Sequence, residues 1–416
     1  MRTAFPIDWV RAQFPALERA APFVYFDNAA GAQAPRLVLE RVAAHLLDYN
    51  VQRGGRYAKS IEVDARIALA RARVACFINA GDPSEIAFGM NATSFIRLLS
   101  LAIGQTLTPE RDEIIVTDLD HDANIATWLD LKRLGARFNW WRMRDDGRLH
   151  IADLAPLLSE RTRLVACTAA SHALGSLVDV TAAAAAAHLL GAELFVDAVH
   201  YAPHAPIDVA AWDCDYLVCS GYKSFSPHMG FLWGKRDKLT ALPTFREDFI
   251  PDRPPFKIEA GTFVYENVVG MSAAIDYLAA LGAELTPAGG DATPHALLTC
   301  AMRAIQDYER TLSRRMLALL ADCGATVFGI PDEGRQRVPT FCFNLGTLAP
   351  AEVVQRLADA GFGLRDGHMY APRLMARLGL TMDRGAVRAS LVHYNSEAEI
   401  DSLAPHLRRV ARGAKT

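Results

Sequence analysis

From Asp112 onward, apolar and polar positions fall into short runs that alternate between two periods. Glu113-Ile-Ile-Val-Thr117 is rich in β-branched residues and reads as a strand; Ala123 to Leu134 has helical spacing and stops at Gly135. Phe138 to Met143 reads as a strand and Asp153 to Ser159 as a short helix. Arg163 to Cys167 is a strand, Thr181 to Gly191 a helix with glycine at its end, and Glu193 to Val196 another strand. Tyr216 to Cys219 and Gly230 to Trp233 are strand-like runs on either side of a polar loop. Strands alternating with helices predict an α/β fold on a mainly parallel sheet, buried on both faces. Ligands of such sheets bind beyond the carboxyl ends of the strands, where the polar clusters of this chain fall.

The alternation breaks between Leu278 and Thr299, where Gly282, Pro287, Gly289, Gly290 and Pro294 interrupt it. Beyond lie a long helix through Arg303 to Leu320, a strand at Thr340 to Asn344, a helix near Glu352 to Ala360 and a final helix. The division expected is a large domain over 18–285 and a smaller α+β domain formed by 286–416 with 1–17. A helix around Asp8 to Leu17 packs against one or the other.

The chain has 416 residues, is 51% hydrophobic and carries a formal charge of −3, enough for a substantial core and more than one domain. That charge gives no footprint for nucleic acid, and no polybasic run suggests a membrane surface. Met1 to Ala16 contains Asp8, Arg11 and two prolines, unlike a secretory leader. The apolar run Ala182 to Leu190 is too short to span a bilayer. Seven cysteines are dispersed without pairing or metal-ligand spacing, so no metal is expected. Reduced thiols of this kind suit a cytoplasmic protein.

Four segments carry candidate chemistry. Asp197 follows a buried strand, and either caps the next turn or pairs with the ring nitrogen of pyridoxal 5'-phosphate (PLP). Lys223, in Cys219-Ser-Gly-Tyr-Lys-Ser, follows another strand, and small and aromatic neighbours there can desolvate an amine for Schiff-base chemistry. Asn91-Ala-Thr-Ser opens an apolar helix whose free N–H groups suit an anion, or is a plain cap. Asp120-His121 follows a third strand; His121 is placed to stack on a flat ring, while Asp120 could cap the helix.

The order and spacing of these segments resemble the class V aminotransferase superfamily, and within it the cysteine desulfurase and selenocysteine lyase branch. The likeness covers nearly the whole chain, from Arg11-Ala-Gln-Phe-Pro-Ala16 and Tyr25-Phe-Asp-Asn-Ala-Ala30 to Glu259-Ala-Gly-Thr262, Arg365-Asp-Gly-His368 and Val387-Arg-Ala-Ser-Leu391. It implies PLP fold type I, with a mainly parallel seven-stranded sheet in the large domain, and a homodimer with shared active sites. It implies that Lys223 carries PLP as a Schiff base and shuttles the substrate proton. Asp197 would pair with the ring nitrogen and His121 stack on the ring. His200 and His172 stand where Gln and Asn approach the phenolic oxygen, and Tyr222 where a His is usual. Ala92, Thr93 and Ser220 would contact the phosphate, joined by Thr262 from the partner. Arg388 would grip the substrate carboxylate bidentately, beside Asn28 and Ala29, with Arg53 entering from the partner.

The chain departs from the branch at one position. The desulfurase thiol loop here reads Arg365-Asp-Gly-His-Met-Tyr370, with Tyr370 where the nucleophilic cysteine would stand. The resemblance therefore points to a PLP-dependent lyase acting on an amino acid by α,β-elimination, with C–S cleavage as one form, and without a persulfide. Tyr370 becomes a candidate catalytic group. Epimerisation of the isopenicillin N type, transamination and a non-catalytic PLP-binding scaffold are the alternatives.

Overall fold

The computed structural model describes residues 4–286, 292–330 and 336–413. Pro287, Gly289 and Gly290, which mark the expected boundary, lie outside them. The central sheet has seven strands, in spatial order Ile86–Gly89, Gly230–Gly234, Tyr216–Ser220, Glu193–Asp197, Thr162–Thr168, Glu113–Thr117 and Arg137–Trp141. Gly230–Gly234 runs antiparallel to both neighbours and the other pairings are parallel. Its exception has a local cause: the connection 221–229 holds no crossover helix, so the strand returns as a hairpin. The strands are apolar on both faces and separate two cores, one containing Val165, Leu194 and Leu217, the other Leu164, Phe195 and Val218.

A second, antiparallel sheet joins Arg365–Gly367, Ala386–Ser390, Thr340–Asn344 and Thr326–Phe328, over a third core. One helix, Pro294–Asp322, serves two cores. Leu298, Met302 and Ile305 lie in the large core and Leu312, Met316 and Leu320 in the small one. Its start is fixed by Pro294 at the first helical position and by the Thr293 hydroxyl, which accepts the Ala296 N–H at 3.2 Å.

Several expectations shift. The helix expected over Asp8 to Leu17 is two helices, Ile7–Ala12 and Pro15–Ala20, because Pro15 forces Phe14 out of helical conformation. Core packing also crosses the expected division at 17/18. Val10 and Phe14 pack into the large core, while Val24 pairs with Phe362 and packs into the small one. The long helix expected through Arg303 to Leu320 is found and extends from Pro294 to Asp322, while Asp153 to Ser159 is replaced by Ile151–Leu154 with a 3-10 turn at Ala155–Leu157. Tyr265–Leu285, longer than the alanine run singled out from sequence, is long and apolar enough to cross a membrane, but 67% of its most apolar window is buried inside the fold. It packs against helices Arg36–Asp48, Ala58–Phe77 and Pro294–Asp322.

Candidate active site

Three adjacent parallel strands end together at Thr168, Asp197 and Ser220, and these residues line one cavity. The sheet explains why they meet: each is the last residue of an apolar strand, and Thr168 is in register with Asp197. Lys223, Tyr222, His121, His172, His200, Ala92 and Thr93 complete most of the lining. Nine of the residues expected at the site are thus brought together, and Thr168 joins them.

The helix Ala92–Gly104 points its amino end at this cavity. Asn91 caps it reciprocally with Ser94, and the Ala92 N–H donates to Ser220 Oγ at 3.0 Å. Close approach of strand and helix depends on Gly230, where a Cβ would lie 2.6 Å from Asn91 Cα. Gly230→Ala should therefore lower unfolding stability by about 1–3 kcal/mol. Urea unfolding of the variant against wild type checks this; equal stability would show that the close approach is not needed.

Lys223 is buried, and burial followed by the Arg388 charge holds its amine down at about 8 against the pull of Asp197. Asp197 accepts the Val199 N–H at 2.9 Å. Burial pushes its carboxyl up, while that bond and the Lys223 charge draw it down. The three histidines of the lining are driven toward the neutral form, chiefly by burial. His121 falls to about 4, with Lys223 and Arg388 adding to burial, and its Nδ1 accepts the Ala123 N–H at 3.0 Å. Neutral His121 then carries its proton on Nε2. His172 donates from Nε2 to the Met369 carbonyl at 2.7 Å. His200 pairs through Nε2 with Thr340 Oγ1 at 2.9 Å, and its Nδ1 is buried without a partner.

Other expected residues lie outside the lining. The Asn28 amide is committed to Ser390 and Asn395, at 2.9 and 3.0 Å, and accepts from the Tyr394 hydroxyl; Ala29 N–H donates to Ser390 Oγ at 2.8 Å. Both tie the amino-terminal segment to the small sheet rather than facing the cavity. Arg388 does not present an open fork: one terminal nitrogen pairs with Asp27 at 2.9 Å and the other donates to the His172 carbonyl at 3.1 Å. Its Nε is buried and unpaired. Asp27 also takes two bonds from Arg365, at 2.9 and 2.7 Å, so one carboxylate sits between two guanidinium groups. Arg53 pairs with Asp64 at 3.3 Å, and exposed Thr262 accepts from Gln52 at 2.7 Å.

Tyr370 stands at the edge of the site, 54% exposed, with its ring 5.7 Å from that of His121. Both Met369 (φ +51°) and Tyr370 (φ +60°) are left-handed, which costs about 1–2 kcal/mol per residue. Asp27 and Asp120 went unassigned or misread in the sequence. Asp120 does not cap the helix; it is buried, bonds Thr117 and Asn124, and is pushed up to about 7 by burial. Its signal was the pairing of an acid with Asn124 one helical turn later.

Fold and site together define an α/β enzyme with a lysine-bearing cavity at the strand ends, and the comparisons agree. The sequence profile described as aminotransferase class-V matches residues 24–403, and the chain belongs to that family. Within it the chain falls in the cysteine desulfurase-like branch. It is 34% identical over 428 residues to a cysteine desulfurase of Pectobacterium atrosepticum, covering 98% of this chain and 99% of that one. The solved cysteine desulfurase CsdA of Escherichia coli, in its S-sulfonic acid form, superposes with a TM-score of 0.84 at 28% identity over 99% of both chains. The apo cysteine desulfurase of Thermococcus onnurineus NA1 superposes at 0.87 with 26% identity, again over 99% of both.

Proposed function

We propose that this enzyme uses PLP held by Lys223 to act on an amino acid, eliminating a β-substituent without forming a persulfide. The observation that carries the reading is the meeting of Lys223, Asp197 and the Ala92 helix end around one cavity. The residues fit the cofactor. The helix end offers N–H groups to a phosphate, the buried Nδ1 of His200 lacks an acceptor or donor, and Asp197 supplies the one carboxylate in the lining. Bound there, PLP would supply an electron sink for a bond broken at the substrate Cα.

The chain's own groups then divide the work. Lys223, at about 8, has a neutral fraction near physiological pH and can take a proton. Asp197 would stabilise positive charge on the ring nitrogen of PLP. Arg388 would meet a substrate carboxylate by exchanging its Asp27 partner for it. Gln52, Arg53 and Thr262, gathered on the surface, would complete the site of a second copy in a homodimer. The absence of sulfur transfer rests on position 370 and on the thiols. Cys167, Cys214, Cys219 and Cys342 are buried, and burial holds all four thiols up, Cys219 and Cys342 to about 12. All seven thiols are unpaired, in keeping with a cytoplasmic location.

A second reading, epimerisation, draws on one observation: the Nε2–H of neutral His121 gives the cavity a proton donor besides Lys223. The experiment is incubation with amino acids and thioethers, scoring pyruvate, ammonia and sulfide against inverted stereochemistry. With L-cysteine, trapping and mass spectrometry should find no persulfide on any cysteine. A turnover-competent persulfide would overturn the reading.

A further inference from the structure

The loop carrying Tyr370 is held in an unfavourable shape by bonds that come from the site itself. Met369 and Tyr370 are consecutive left-handed residues, at φ +51° and +60°, and neither is glycine. Three hydrogen bonds fix them. His172 donates to the Met369 carbonyl at 2.7 Å, Asp122 N–H to the Tyr370 carbonyl at 2.9 Å, and Tyr370 N–H to His368 Nδ1 at 3.0 Å. The His368 ring also meets Tyr370 edge-on at 5.9 Å. What this clamp presents is a tyrosine ring that is 54% exposed, so its purpose is not core packing.

The ring has aromatic company. It lies at 29° and 5.7 Å to His121, which itself stands 4.9 Å from His172. Tyr222 lines the same cavity, is stacked on His228 at 5.0 Å and 12°, and has its ring centroid 5.7 Å from Lys223 Nζ. The phenols of Tyr222 and Tyr370 lie within electrostatic reach of each other. Tyr222 in the lining and Tyr370 beside His121 thus bring two aromatic rings, each against a histidine, to the cavity and its edge. Flat faces of this kind favour a flat partner, which stacks at little entropic cost.

We propose that Tyr222 and Tyr370 form a prebuilt aromatic mouth, held open by His172, and that the substrate is an amino acid whose side chain ends in an aromatic group. This rests on the amino-acid reading above and narrows it. His172 acts here as a positioning residue and Tyr370 as a binding one.

The test measures Kd from the absorption change of PLP-loaded enzyme titrated with L-phenylalanine, L-tryptophan and S-phenyl-L-cysteine, and with L-alanine and L-aspartate. Wild type should bind the aryl amino acids about tenfold tighter than L-alanine. Tyr370→Phe should keep that ratio and Tyr370→Ala should lower it about 3–10-fold. His172→Ala should lower the same ratio, and in cofactor-free protein it should speed hydrogen exchange at the Tyr370 and Ala371 amides. A purely structural loss would weaken all ligands alike and leave the ratio unmoved, which would overturn the proposal. Equal affinity for L-alanine and L-phenylalanine in wild type would overturn the mouth alone. If no amino acid perturbed the spectrum, the amino-acid reading would fall, and the mouth with it.

Discussion

Lys223→Met is expected to lower turnover at least ~10³-fold while making the cofactor-free protein more stable at neutral pH. The two effects share one cause. The amine sits buried at the end of Tyr216–Ser220, where its charged form is disfavoured, so its pKa falls from 10.5 to about 8. Below pH 8 the lysine is charged both folded and unfolded, and the fold bears the full penalty, on the order of 3 kcal/mol. Between pH 8 and 10.5 the folded amine is increasingly neutral and the penalty shrinks; above 10.5 it is gone. Methionine keeps the stem and removes the charge. Urea unfolding of both cofactor-free proteins should thus show an advantage for Met at pH 7 that fades by pH 10. A variant less stable than wild type at pH 7 would contradict the burial argument. Borohydride fixation of PLP in wild type should label Lys223, and a label on any other lysine would sink the assignment.

Asp197→Asn should retain PLP yet slow α-hydrogen exchange of a bound amino acid by about 10²–10³-fold, the usual cost of removing one preorganised electrostatic partner. The amide can still accept the Val199 N–H that Asp197 accepts at 2.9 Å, so the strand end should stay in place. What is lost is the negative charge. Burial raises the carboxyl, but Val199 N–H and the Lys223 charge oppose that rise, and a cationic ring nitrogen would oppose it further. Exchange followed by NMR in deuterated buffer, with retention of PLP after dialysis measured separately, distinguishes charge loss from cofactor loss. Exchange at the wild-type rate would remove Asp197 from the chemistry.

The parts of the site that were legible in sequence are local. Apolar runs ending at Thr117, Asp197 and Ser220 announce strand ends, and a polar residue there has only the cavity or a turn to face. What was hidden depends on contacts remote along the chain. Nothing near Arg388 indicates that Asp27 would occupy its fork, and nothing near Tyr370 shows that His172 would clamp its loop. The helix Tyr265–Leu285 escaped for another reason. Enclosed by three other helices, it is apolar on most sides and leaves little periodic contrast to read. Phe14 was a neighbour effect: the proline after it broke a helix whose apolar spacing continued.

Pro294–Asp322 gives the molecule a common axle. Its 29 residues extend about 43 Å, and Glu309, buried and paired with His204 at 2.9 Å, marks the turn where one core hands over to the other. Melting either core would strip one half of this rod of its packing, and a half-rod alone is a poor helix in water. The two sheets are thereby coupled in failure. Heat or denaturant should take them apart in a single transition, and a cut within the rod should leave no fragment able to stand alone.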